Sequence, residues 1–107
     1  VRRVLARYSI FARSAVRFYF TLYHVYEMFR VSPYRVWKYG IARQLVWFAR
    51  PLSQKSACER RYQGSKCWFV SLLSVHGWYQ ARFAEAALML AYALRHGRCP
   101  DGAPSCI

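Results

Sequence analysis

Residues 4–29 read VLARYSIFARSAVRFYFTLYHVYEMF, and the fold class that the sequence predicts turns on this stretch. Its apolar side chains Val4, Tyr8, Phe11, Ala15, Phe18, Leu22, Val25 and Phe29 follow one another in alternating steps of four and three, the spacing of a stripe along one side of an α-helix. At about 100° per residue, Arg3, Arg7, Arg13, Arg17, Ser14, Thr21 and His24 gather on the other side. The spacing predicts one long amphipathic helix over 3–31. At roughly 1.5 Å per residue the stripe spans about 39 Å, more than a compact domain of 107 residues is across, so a second molecule is expected to receive one of its faces.

Ser32-Pro33 then reads as the start of a second helix, because Ser caps free amides and Pro suits a first turn. Tyr34, Trp37, Ile41, Leu45 and Phe48 recur at helical steps, which predicts a helix over 33–50 that Pro51 ends. Residues 51–66, PLSQKSACERRYQGSK, lose all periodicity and read as a basic loop. A third helix is expected over 67–96, apolar nearly all round and closed by Gly97 with Arg95 and His96 in its last turn. The last residues, 97–107, read as an irregular tail. Together these give a single all-α unit of three helices, extended and dependent on an assembly.

The balance of charge is the unusual feature of the composition. Seventeen Lys and Arg face four acids, Glu27, Glu59, Glu85 and Asp101, for a formal net charge of +13. Fourteen of the cations are Arg, whose planar fork pairs with phosphate two-pronged and stacks on flat rings. The complement expected of such a surface is a phosphate-bearing polyanion or an acidic protein. Arg3, Arg7, Arg13 and Arg17 on the first helix and Lys55, Arg60, Arg61 and Lys66 in the loop are the candidate anion-binding residues, with Tyr62 available to stack. The apolar residues Val4, Tyr8, Phe11, Ala15, Phe18, Leu22, Phe29, Leu72 and Leu88 are the candidate protein-packing positions.

The cysteines match no zinc-binding spacing. Cys58 with Cys67 and Cys99 with Cys106 are the only disulfides the chain is expected to allow, since a helix over 67–96 holds Cys67 and Cys99 on the order of 45 Å apart. Free buried thiols are preferred over either pair. No catalytic constellation stands out: the acids are scattered, there is no Gly-rich phosphate loop, and His24, His76 and His96 fall on different faces. The chain reads as a non-enzyme that holds no cofactor and no metal. A membrane-spanning third helix is disfavoured, because Arg82 and Glu85 interrupt its apolar runs short of the roughly 20 residues needed.

The first twenty residues carry Arg and Ser on an amphipathic pattern with no acid before Glu27, the properties of a mitochondrial import signal. Val4, Leu5, Tyr8, Arg13, Arg17 and Phe18 resemble the opening helix of the LYR family of small mitochondrial three-helix proteins, with Arg7-Tyr8-Ser9 where that family has its naming tripeptide. The resemblance covers about fifteen residues and implies a respiratory-complex subunit. From charge and aromatic content, the leading expectation is instead a structural subunit of a mitochondrial ribosome in the matrix, holding rRNA phosphates with its cations and neighbouring proteins with its apolar faces. The alternative is an accessory subunit of a respiratory complex or ATP synthase at the inner membrane, with acidic lipids and membrane-complex subunits as partners.

Overall fold

The computed structural model describes residues 21–103 and Cys106. The first strand, β1 (Leu22–Arg30), is the middle of a three-stranded antiparallel sheet, flanked by β2 (Arg35–Arg43) and β3 (Cys67–His76). A 3-10 turn at Gln44–Val46 leads to helix α1 (Ala49–Arg61), which precedes β3, and helix α2 (Trp78–His96) follows it. The chain is therefore mixed α and β, and the all-α expectation is overturned. The part of the expected first helix before residue 21 lies outside the described residues.

The reason for the reversal is legible in β1. A run of Leu, Tyr, Val, Tyr, Met and Phe offers an apolar residue at almost every step, so a helical stripe can be read from it and so can a strand buried on both faces. Here both faces are buried. Tyr23 and Val25 pack with Ile41 and Ala81 on the α2 side. Tyr26 and Met28 pack with Ala42, Cys58, Tyr62, Cys67 and Phe69 on the α1 side. The alternation of side chains along a strand sends these two sets to opposite faces, so the sheet is a middle layer with one helix on each side.

The other three boundaries fail for equally local reasons. Ser32-Pro33 sits in the turn of the β1–β2 hairpin rather than at a helix start. Pro51 falls in the first turn of α1, where its missing N–H has no helical partner to lose, so the expected loop 51–66 is helical over most of its length. Its burial is confined to Pro51 and Cys58, too few apolar positions to mark a periodicity. The expected helix 67–96 is divided at Gly77, whose φ of 89° no continuing helix adopts and whose N–H donates to the Thr21 carbonyl at 2.8 Å. Before it, Cys67 and Phe69 are buried while Trp68 and Val70 are exposed, the alternation of a strand.

Both cysteine pairs are disulfides, Cys58–Cys67 and Cys99–Cys106. The preference for free thiols is thus corrected, although the two pairs are those the spacing allowed. The first ties α1 to the start of β3 in the core, where both residues are buried. The second closes the tail, which is anchored: Pro100 is fully buried and the Gly102 N–H donates to the Trp37 carbonyl at 2.6 Å.

Candidate functional site

Arg30 ends β1 and Arg35 begins β2, and the register of the hairpin sets them directly opposite one another. Like charges so placed repel. Two further features of the fold converge on them. Helix α1 ends at Arg61 with Tyr62 as its C-cap, and the tail carries Asp101 back to the same end of the sheet. The result is a cleft of about 250 Å³ lined by Arg30, Arg35, Arg61, Tyr62, Gln63 and Asp101. A neighbouring cleft of about 280 Å³ shares Arg30 and Arg35 and adds Arg98, His96 and Tyr34.

Tyr62 is the hub of this arrangement. The Arg30 guanidinium lies 4.7 Å from its ring centre and that of Arg61 lies 5.8 Å away, both within reach of a cation–π contact. Its hydroxyl donates to Asp101 Oδ2 at 2.5 Å. Burial, together with that bond to a carboxylate, pushes the Tyr62 hydroxyl up to about 12. Arg35 Nη2 donates to Asp101 Oδ1 at 3.1 Å, and its Nε stands 2.8 Å from Oδ2 as an ion pair without hydrogen-bond alignment. Partial burial works to raise the Asp101 carboxyl, but the bonds from Tyr62 and Arg35 outweigh it and hold the group below the ordinary carboxylate value. The hydrogen bond to Asp101 in turn raises the Arg35 guanidinium.

One carboxylate thus answers several guanidiniums. Arg30 spends its Nε on the Pro33 carbonyl, 2.9 Å away, a bond that leaves its charge unneutralised. Among the described residues the ion pairs are Arg35–Asp101, Lys55–Glu59 and Arg82–Glu85, which leaves most of the twelve cations in this part of the chain without a carboxylate contact. The turn that carries the site is itself braced from the α2 face of the sheet, where the Tyr34 hydroxyl donates to the buried Glu27 carboxylate.

The sequence-predicted residues distribute unevenly around this centre. Arg61 and Tyr62 are in it. Lys55 pairs with Glu59 at 2.9 Å, and the two line a separate cavity with Lys66 and Trp68; the bond from Lys55 and one from the Cys67 N–H hold the Glu59 carboxyl below its ordinary value. Arg60 is exposed in the last turn of α1. Arg3, Arg7, Arg13 and Arg17, with Val4, Tyr8, Phe11, Ala15 and Phe18, lie outside the described residues. Of the packing candidates, Leu88 packs on the α2-side core. Leu22 and Phe29 are half-buried on opposite faces of β1 and Leu72 is exposed, at the irregularity in β3 where the register with β1 shifts.

Sequence reasoning missed Arg30, Arg35, Arg98 and Asp101. The usable signal was the pair of arginines flanking Val31-Ser32-Pro33-Tyr34, which read as a hairpin turn would have brought them face to face. Compared with protein-family models, with curated proteins and with solved structures, the chain matches none.

Proposed function

We propose that the chain is a non-catalytic structural protein that grips the phosphate backbone of RNA, as a small subunit of a ribonucleoprotein. The observation that carries the reading is the Arg30–Arg35 cross-strand pair, with Arg61 and Arg98 beside it and Asp101 as the one acid lining either cleft. A fold that opposes two guanidiniums across a ladder and gathers two more around them gains most when an anion enters. Clefts of this size fall below the roughly 300–1,000 Å³ of small-molecule pockets, which suits backbone phosphates better than a whole small ligand. Guanidiniums already within cation–π distance of the Tyr62 ring are also steadied for two-pronged contact with phosphate. Binding of this kind positions the protein without reading sequence. The basic N-terminal stretch has the properties of a mitochondrial import signal, and the mitochondrial ribosome is the ribonucleoprotein such an address would serve.

The two cystines favour a second reading, because disulfides persist in oxidising compartments and are rare in reducing ones. In that reading the protein is an accessory subunit of a respiratory complex at the inner membrane and rests its arginines on acidic lipid headgroups. Among the described residues, no helix is long and apolar enough to cross a membrane.

Density-gradient fractionation of the tagged chain from detergent-solubilised mitochondria, with and without RNase, separates the two. Migration with ribosomal particles that collapses after RNase supports RNA binding. Migration with a membrane complex, unchanged by RNase, overturns it in favour of the second reading.

A further inference from the structure

A second cleft adjoins the arginine site. Arg30 and Gln63 line the arginine cleft, and their neighbours Val31 and Gly64 line the second, so only the strand end Arg30-Val31 and the turn Gln63-Gly64 stand between the two. Local bonds fix that boundary. The Gly64 N–H donates to the Glu59 carbonyl at 2.8 Å, and the Val31 N–H donates to the Lys66 carbonyl at 2.9 Å. Gln63 and Gly64 turn the chain with φ of 56° and 88°, and a Cβ at Gly64 would meet nothing within 4 Å. The turn therefore leaves the cleft open, at about 620 Å³, within the roughly 300–1,000 Å³ of ligand pockets.

Its lining pairs an aromatic ring with positive charge. Trp68 is 49% exposed, and its ring is steadied from one side: the indole stacks on Phe69 with ring centres 4.7 Å apart and planes within 25°, and Phe69 belongs to the buried core. Lys66 is exposed and, among the described residues, takes part in no ion pair. Lys55 is partnered by Glu59, whose carboxylate also accepts the Cys67 N–H. Two Lys against one Glu leave the cleft a single net positive charge.

A steadied aromatic face beside a net cation is the chemistry that receives a nucleotide unit, the ring stacking the base and the cation taking the phosphate. We propose that this cleft takes an unpaired base of the RNA strand, stacked on Trp68 with its phosphate at Lys66, while the arginine cleft beside it holds the neighbouring phosphates. The inference rests on the RNA reading above and names its substrate class: single-stranded rather than duplex RNA, because a base stacked and paired in a duplex has no free face to offer. Charge favours a strand over a free nucleotide. A diester linkage carries one negative charge, matched by the one net cation, whereas a terminal phosphate carries about 1.5–2. Stacking of this kind accepts any base, since each has a π-face.

Fluorescence anisotropy of the full oxidised chain with a labelled single-stranded RNA of mixed sequence, and with an abasic strand of the same length, separates base from phosphate. The parent is expected to bind the base-bearing strand more tightly, by roughly 5- to 150-fold for one stacked base. Trp68→Thr keeps a good strand former at the position. It is expected to lose that factor on the base-bearing strand, to bind the abasic strand as the parent does, and to keep the parent's salt slope, because no charge is removed. Trp68→Phe should restore most of the loss. Lys66→Ala is expected to act differently, lowering the slope of log K against log salt by about 0.7 on both strands. The proposal is overturned if Trp68→Thr binds the base-bearing strand like the parent, or if it weakens both strands alike, the mark of a merely structural role. Equal binding of the two strands by the parent, with salt dependence intact, overturns this proposal and leaves the phosphate grip standing; a parent that binds neither strand overturns both.

Discussion

Replacing Gly40 by Ala tests the sheet with a change of one methyl group, because the sign of its effect depends on the fold. Gly40 sits opposite Tyr26 in the β1–β2 ladder. A Cβ at this position would stand 2.5 Å from both the Cζ and the hydroxyl oxygen of Tyr26 and 3.0 Å from its Cε1. The ring has no room to step aside: Tyr26 is fully buried and its hydroxyl donates to Gln54 Oε1 at 3.0 Å. Overpacking of this kind costs about 1–3 kcal/mol, and displacement of the hydroxyl adds roughly 0.5–1.5 kcal/mol for the lost bond. Loss of glycine's freedom in the unfolded chain offsets at most about 1 kcal/mol. Gly40→Ala is therefore expected to destabilise the protein by about 0.5–4 kcal/mol, whereas in the middle of a helix over 33–50 the same change would stabilise by about 0.8–1 kcal/mol. Urea denaturation followed by tryptophan fluorescence gives the sign through the midpoint at constant slope. In a Tyr26→Phe background the penalty should shrink, because one of the two closest atoms is gone. A midpoint for Gly40→Ala equal to or above that of the parent refutes the packing of Tyr26 over β2.

Reducing the Cys58–Cys67 bridge, or replacing both residues by Ser, is expected to cost about 2–4 kcal/mol, read as a lower urea midpoint with and without dithiothreitol. The Asp101 contact should be lost in acid. Its carboxyl is held below the ordinary value, so its stabilisation is complete above that value and disappears as pH falls through the depressed one; Asp101→Asn flattens this part of the stability profile. Tyr62 does the reverse at high pH. Its contribution is whole below the ordinary tyrosine value of 10.0 and is lost as pH climbs toward about 12, which ultraviolet titration of tyrosinate in the parent and in Tyr62→Phe resolves.

Part of this fold was legible in the sequence and part was not. The helix C-terminus at Gly97 was, because Arg95-His96-Gly97 carries both a positive last turn and a residue free to adopt the φ of 72° found there. The cysteine pairs were, as the two that spacing allowed. The central strand was hidden for one physical reason. Leu22–Arg30 is covered on both faces and so loses the apolar–polar alternation that marks a half-buried strand, leaving an apolar run in which any period can be found. Helix α1 was hidden for the opposite reason: it buries so little that no period survives, and Pro51 looked like a terminator when it belonged to a first turn. The candidate site was half legible. Arg61 and Tyr62 are neighbours in sequence, but Arg30, Arg35, Arg98 and Asp101 reach them only through the hairpin register and the anchored tail, which no local pattern records.

If the arginines around Tyr62 hold phosphates, RNA binding must weaken with salt in proportion to the contacts they make. The parent chain, Arg30→Ala, Arg61→Ala and the double variant are titrated against single-stranded RNA of mixed sequence over a series of salt concentrations. Each phosphate contact removed from a single strand is expected to lower the slope of log K against log salt by about 0.7, so the double variant should lose about 1.4, with binding weakened alike on unrelated sequences. A slope that stays at the parent value in the double variant shows that Arg30 and Arg61 hold no phosphate, even if the parent binds RNA tightly.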